Sequence, residues 1–144
     1  MSQLKKQRTM KTILETDYAV AEFYEEDELV QVTWKKISGK LPVEEYQKMF
    51  EVSLEFQAAN KDKIKFFLSD IRLQAVLSPD YRKWFQEVAM PNAIKNGIVK
   101  AGVLFEGNVF QKYYLNNIMN TTKKFGVSMK FFGKREDAIK WFNE

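Results

Sequence analysis

Apolar and polar positions alternate along the early part of the chain. Residues 13–15 and 18–24 look extended, EEDE at 25–28 is a polar turn, and LVQVTWKKI at 29–37 alternates between two sides. A period of two residues is typical of a half-buried strand. Together the pieces predict an opening antiparallel β-hairpin. One side of the last piece carries Val30, Val32 and Trp34, and the other carries Leu29, Gln31, Thr33 and Lys35.

A helical period follows in VEEYQKMFEVSLEFQAAN at 43–60. Its apolar stripe is wider than a one-sided surface helix needs, because Val52 and Phe56 extend it sideways. Core packing explains most of this width, and contact with a second subunit is left open for the excess. The residues predicted to share its main buried face are Tyr46, Met49, Phe50, Ser53 and Leu54.

Three short, continuous apolar runs come later: IKFFLS at 64–69, IVKAGVLFEG at 98–107 and VSMKFFG at 127–133. Such runs are typical of strands buried on both faces. Helices are predicted between and after them, so the element order is ββαβαβαβα. This order predicts an α/β fold in which an N-terminal antiparallel hairpin precedes alternating βα units. The central sheet is then mostly parallel, with helices packed on it.

The later helices are predicted over residues 78–96, 108–124 and 135–144. Met90-Pro91 lies inside the first of these helices, where proline removes a backbone donor, so we expect a kink or a break there. Gly97 suits the left-handed position that follows a helix end.

Composition limits the chemistry that the chain can perform. Its 144 residues suggest one domain, and both cysteine and histidine are absent. The absence of these two residue types removes disulfides, thiolate nucleophiles, the commonest metal ligand and the side chain best suited to proton transfer near neutral pH. We therefore predict no catalytic residue, no metal site and no cofactor.

The net charge of +4 comes from 23 basic and 19 acidic residues. Lys5, Lys6, Arg8 and Lys11 precede the first acidic residue, and without them the two signs balance. We expect residues 1–11 to be a basic disordered tail and 12–144 to be one domain. No secretory signal, membrane-spanning run or nucleic-acid motif stands out, so the sequence predicts a soluble, cytoplasmic protein without a membrane span and without a nucleic-acid partner.

Polar residues follow the predicted parallel strands, and functional crevices of open α/β sheets lie beyond the carboxyl ends of their strands. Asp70 and Arg72 form either an anion or partner site, or an ion pair that closes the loop. An acid–base pair of Asp70 and Glu106 is the least favoured alternative. The residues expected at these strand ends are Ser69, Asp70, Arg72, Glu106, Gly107, Asn108, Phe132 and Gly133. The partner- or ligand-binding residues predicted on this rim are Asp70, Arg72, Ser78, Glu106 and Asn108.

Ser78 precedes Pro79 and Asp80 at the start of a predicted helix. A serine hydroxyl that accepts a backbone N–H, a proline at the first helical position and an acid near the positive end of the helix are the features of an N-cap. A nucleophilic serine would need a base, and the chain has no histidine. We therefore interpret Ser78 as a helix cap, although the helix dipole would tolerate a phosphate there.

The segments VTWKK, PVEEY, FFLSDIR, LSPDYRKWF and AMPNAIKNGIVKAGVLFEGNVF resemble the SpoIIAA-like, STAS-type single-domain proteins, a family of small bacterial proteins. The resemblance covers the chain from residue 12 onwards. It implies a partner-switching role in which a kinase phosphorylates a serine at a helix start, within an Asp-Ser-x-Gly motif. Here the strand ends Ser69-Asp70-Ile71-Arg72 without glycine, and only Ser78 occupies a similar place.

Two functions are therefore expected. The first is a non-catalytic protein-interaction or regulatory module of STAS type, with an unknown protein partner and a homodimer as one form. The second is a carrier of a small apolar ligand, because related CRAL-TRIO lipid-transfer domains enclose such ligands. Its pocket would lie between the sheet and the 79–96 and 109–124 helices, with walls at Tyr113, Tyr114, Ile118 and Met119.

Overall fold

The computed structural model describes residues 9–74, 79–107, 116–117, 119–120, 123 and 126–144. Within these residues, strands form a six-stranded sheet whose spatial order follows the chain. The strands are β1 (Met10–Glu15), β2 (Ala19–Tyr24), β3 (Leu29–Trp34), β4 (Phe66–Asp70), β5 (Lys100–Leu104) and β6 (Ser128–Phe132).

The sheet is antiparallel at its start and parallel afterwards. β1, β2 and β3 pair antiparallel, and β3, β4, β5 and β6 pair parallel to one another. A 3₁₀ turn at Glu25–Asp27 joins β2 to β3, which confirms the predicted hairpin. β4 and β5 are neighbours at the centre of the sheet, so the predicted α/β fold is confirmed.

Helices connect the parallel strands. α1 (Val43–Ala59) joins β3 to β4, and α4 (Arg135–Phe142) follows β6. Between β4 and β5 a continuous helical segment comprises α2 (Pro79–Trp84), a π-helical stretch (Phe85–Ala89) and α3 (Met90–Lys95).

The π-helical stretch lies where an irregularity was expected. Pro91 has no N–H to offer the carbonyl of Glu87, and its ring would crowd that carbonyl in a regular α-helix. Met90 instead donates its N–H to the carbonyl of Phe85, five residues back, which is the π-helical bond. The helix thus widens before the proline rather than breaking at it, and Gly97 follows its end with a φ of 100°.

Two apolar clusters lie on opposite faces of the sheet. The larger joins alternate sheet residues to α1 and to the helical segment over 79–95, with Trp34 stacked on Tyr46 at 5.4 Å between ring centroids. The smaller joins the other sheet face to α4, where Phe66 stacks on Phe142 at 5.0 Å. Right-handed crossovers between successive neighbouring strands place their helices on one face, so α1 and the 79–95 segment share a side.

Polar contacts hold α4 against its side of the sheet. Arg135 donates from Nε to Gln31 Oε1 at 2.7 Å, and its guanidinium lies 4.7 Å from the centre of the Tyr24 ring. At the other end of the helix, Lys100 Nζ donates to the carbonyl of Trp141 at 3.0 Å, where a cation suits the helix dipole. These contacts bury Gln31, which the alternating pattern had placed on the polar side of its strand.

Three boundary predictions need correction. β1 begins at Met10, inside the predicted disordered tail, because Met10 and Lys11 pair with Tyr24 and Phe23 of β2. β3 ends at Trp34 rather than at residue 37. β6 is an edge strand with exposed Ser128 and Lys130 rather than a strand buried on both faces, because within the described residues it pairs with β5 alone.

We expect Gly102→Val to destabilise the protein by about 1–3 kcal/mol, in spite of the better strand propensity of valine. A Cβ atom at Gly102 would lie 3.0 Å from Leu68 Cδ1 and 3.1 Å from Phe142 Cζ, so α4 would have to move away. Urea unfolding followed by tryptophan fluorescence measures the change. Ser128→Val, on the exposed edge strand, should stay within about 0.5 kcal/mol of the wild type. Equal stability of the Gly102 variant and the wild type would contradict this packing.

Candidate functional site

Asp70 and Arg72 form a closed ion pair after β4. Arg72 donates from Nε to Asp70 Oδ1 at 2.9 Å and from Nη2 to Asp70 Oδ2 at 2.7 Å, and its backbone N–H also reaches Oδ1 at 3.2 Å. The Asp70 side chain is 9% exposed and that of Arg72 is 32% exposed. The pair therefore occupies both carboxylate oxygens, which is the structural alternative predicted for this loop.

The neighbouring described residues of the rim do not break the Asp70–Arg72 ion pair. Hydrogen bonding to Asp70 raises the pKa of the Arg72 guanidinium above its ordinary value and outweighs burial, which lowers it. Arg72 Nη1 also lies 3.4 Å from the carbonyl of Gly133, which links the loop after β4 to the residue pair before α4. Glu106 is exposed and forms no ion pair with Arg72. A constantly charged guanidinium that is held by a carboxylate is suited to fixing a loop rather than to moving protons.

Several predicted site residues lie outside the part of the chain that the structure describes. These are Ser78 and Asn108 of the rim and Tyr113, Tyr114 and Ile118 of the predicted pocket wall. Met119 is described, and it packs against the larger apolar cluster. It is not among the residues that line the cavity described below, and its role as a wall residue stays a prediction.

A cavity does lie between the sheet and the helices on the α1 side. The centres of water-sized molecules can occupy a volume of about 50 Å³ in this cavity. The total space between the surrounding atoms, including open solvent at the mouth of the cavity, is about 580 Å³. At about 10–15 Å³ per molecule, roughly three to five waters would fit. α1 supplies Phe50 and Leu54, and the helical segment supplies Phe85 and Met90. The remaining apolar wall comes from Phe67, Ala89, Ala93, Ile94, Ile98, Ala101, Gly102, Val103, Val127 and Met129.

Three polar side chains interrupt this apolar wall. Ser53 and Gln57 lie one turn apart on α1, and Ser69 faces them from β4. Ser53 donates to the carbonyl of Met49 at 2.8 Å. Gln57 is 1% exposed, and its Oε1 accepts no hydrogen bond from the residues that the structure describes. A buried acceptor needs a hydrogen-bond partner, and the cavity beside Gln57 has room for one.

Sequence reasoning missed Gln57, and a usable signal was present. Position 57 follows Phe50 by seven residues and Ser53 by four, so a helix places all three on one face. Glutamine is a polar residue type, and the predicted buried face of this helix does not include it. The structure places apolar walls on α1 and on the helical segment over 79–95, of which the sequence had predicted the second, and most of the predicted wall over 109–124 lies outside the described residues.

Two hydrogen bonds from side chains to backbone carbonyls tie the helical segment to α1 and to the residues just before it. Asn96, directly after α3, donates from Nδ2 to the carbonyl of Leu54 at 3.1 Å. At the opposite end, the Tyr81 hydroxyl donates to the carbonyl of Leu41. The π-helical stretch between these two ties contributes Phe85 and Ala89 to the wall. The helices are thus held at both ends, and the widened turn faces the space between them.

The rim pair and the cavity lie on opposite faces of the sheet. Successive residues of a strand point to opposite sides, so Ser69 lines the cavity and Asp70 points away from it. The predicted rim residues and the predicted pocket therefore do not form one site.

Part of the surplus apolar surface of α1 is covered within the same chain. Phe56, part of the surplus apolar surface, packs on Phe23 with ring centroids 5.2 Å apart. The Lys11 ammonium lies 5.5 Å from the centre of the Phe56 ring. Strands β1 and β2 of the same chain thus cover much of the surface for which a partner had been considered, and the homodimer stays a prediction without this support.

Two further properties concern the described residues as a whole. Among them, no three acidic side chains come together in a way that could hold a metal ion. None of the helices traced in these parts of the chain has the length and apolar character needed to cross a bilayer.

We expect Arg72→Met to destabilise the protein by about 1–3 kcal/mol, because it leaves the buried Asp70 carboxylate with a single backbone donor. Methionine keeps the apolar contacts of the arginine stem. Lys65→Met is the matched control, since the Lys65–Glu28 pair is exposed and 3.5 Å long, and it should cost less than about 1 kcal/mol. Urea unfolding of both variants makes the comparison. Similar losses for the two would show that the Asp70–Arg72 pair does not fix its loop.

Comparison of the chain with protein-family models, with curated proteins and with solved structures gives no match. The STAS-type resemblance therefore stays a prediction. The features that bear on function are the cavity beside α1 and, on the other face of the sheet, the Asp70–Arg72 pair.

Proposed function

We propose that this protein is a non-catalytic binding module whose cavity beside α1 takes a small apolar ligand. The cavity carries the proposal, since its wall is almost entirely aliphatic and aromatic and it lies between a sheet and helices that are tied to each other. Binding sites for small molecules are commonly apolar clefts with a few fixed polar groups. Gln57, Ser53 and Ser69 are such groups.

The composition supports binding rather than catalysis. The chain has neither histidine nor cysteine. The Asp70 carboxylate is held by Arg72, and Glu106 is exposed. No titratable side chain lines the cavity in the part of the chain that the structure describes. A ligand in this cavity would therefore be held without being transformed.

Filling the cavity should abolish binding. We expect benzene to shift the NMR methyl signals of Met90, Ile94 and Met129 in the wild-type protein, because these side chains line the cavity. Ala93→Phe places a ring in the same space and should remove these shifts. Ala58→Phe is the matched control, since Ala58 is exposed on α1, and it should bind benzene like the wild type.

Native mass spectrometry of protein purified from cells tests the same proposal without an added probe. A retained small mass that disappears in Ala93→Phe would support it. An empty wild-type protein that also shows no benzene shifts would rule the proposal out.

The regulatory role of STAS type is a separate prediction, in which the binding partner is a protein. Light scattering tests the homodimer that accompanies it. A particle of twice the chain mass of 17.0 kDa is the expected result. A strict monomer that also captures no protein partner would count heavily against this role and would leave the cavity proposal unaffected.

A further inference from the structure

The amide of Gln57 indicates which class of ligand the cavity would take, an inference that rests on the proposed function. Gln57 lines the cavity, is 1% exposed, and has an Oε1 atom without a hydrogen-bond partner in the described residues. Buried polar groups of folded proteins nearly always have a partner. A group of this kind in a cavity wall is therefore satisfied when the cavity is occupied by something that can hydrogen-bond to it.

The wall also limits the charge of the occupant. No charged side chain lines the cavity in the ranges that the structure describes. Transfer of a carboxylate or an ammonium group from water into such surroundings, without a counter-charge, is strongly unfavourable. The polar part of the ligand must therefore be neutral, which excludes a fatty-acid carboxylate or an amine cation held at Gln57.

The neighbouring serines limit the polar group further. Ser53 lies one turn from Gln57 on α1 and its hydroxyl hydrogen is used by the carbonyl of Met49. Ser69 lines the cavity from β4, on the side that faces α1. A hydroxyl both donates and accepts, so it can donate to Gln57 Oε1 and accept from the Ser69 hydroxyl at the same time. A ketone or an ether can only accept, and would leave Oε1 without a donor.

We infer that the cavity selects a neutral, largely apolar molecule with one hydroxyl group, an aliphatic or aromatic alcohol, and that Gln57 Oε1 accepts the hydroxyl hydrogen. The aliphatic and aromatic side chains around Gln57 hold the apolar body of the molecule. Selectivity arises because the hydrocarbon that lacks the hydroxyl leaves the glutamine carbonyl buried and unpaired.

Phenol and benzene are suitable probes, because they differ only in the hydroxyl. Isothermal titration should show that the wild-type protein binds phenol at least as tightly as benzene. Gln57→Leu removes the acceptor at similar volume and should weaken phenol binding by about fivefold to tenfold, the range expected for one hydrogen bond, while benzene binding changes by less than about twofold. The readout is the ratio of the two dissociation constants, which a general loosening of the cavity would leave unchanged.

Two further variants make the test decisive. Gln47→Leu is the matched control, since Gln47 lies on the same helix and does not line this cavity, and it should leave the ratio as in the wild type. Gln57→Met, which keeps the length of the side chain, replaces Gln57→Leu if the latter does not fold. An unchanged ratio in the Gln57 variants, with both probes still bound, would overturn this inference and leave the proposed function intact. Failure of both probes to bind the wild-type protein would overturn both.

Discussion

The structure depends on the sequential order of its strands combined with right-handed crossovers. Each parallel strand after β3 is added beside the previous one, so the connecting helices accumulate on one face of the sheet. The other face is left to α4, whose eight residues cover Leu68 and Leu104. Alternate residues of one strand therefore face different helices, which are α1 and the 79–95 segment on one side and α4 on the other.

The same constraint separates the two polar features of the chain. Ser69 and Asp70 are adjacent in sequence, yet one lines a cavity under α1 and the other is held by Arg72 on the side of α4. Pro91 accounts for the π-helical stretch in the helix that faces α1, and Phe85 and Ala89 of this stretch line the cavity. A regular helix would present a narrower turn to this space. A single proline thus shapes the helix that forms one wall of the proposed binding site.

Much of the fold follows from local sequence, and the site does so only in part. Period-two and period-3.6 patterns indicate β2 and α1 because each buries one face, and they indicate β3 although both of its faces are buried. β1 is harder to predict, since its first residues belong to a basic stretch and only pairing with β2 defines them as a strand. Which strand lies at an edge and which helix faces a cavity depend on contacts between distant segments. Gln57 is the clearest example, because its burial follows from its helical position and contradicts its residue type.

The central claim is that α1 and the helical segment over 79–95 enclose an apolar cavity against the sheet. Diffraction from crystals held under xenon pressure tests it most directly, because xenon occupies apolar cavities without needing any specific hydrogen bond. The account predicts xenon density in contact with Phe50, Phe85 and Met90, on the side of the sheet that carries Ser69. Side chains that fill this space, with no xenon among them, would contradict the account.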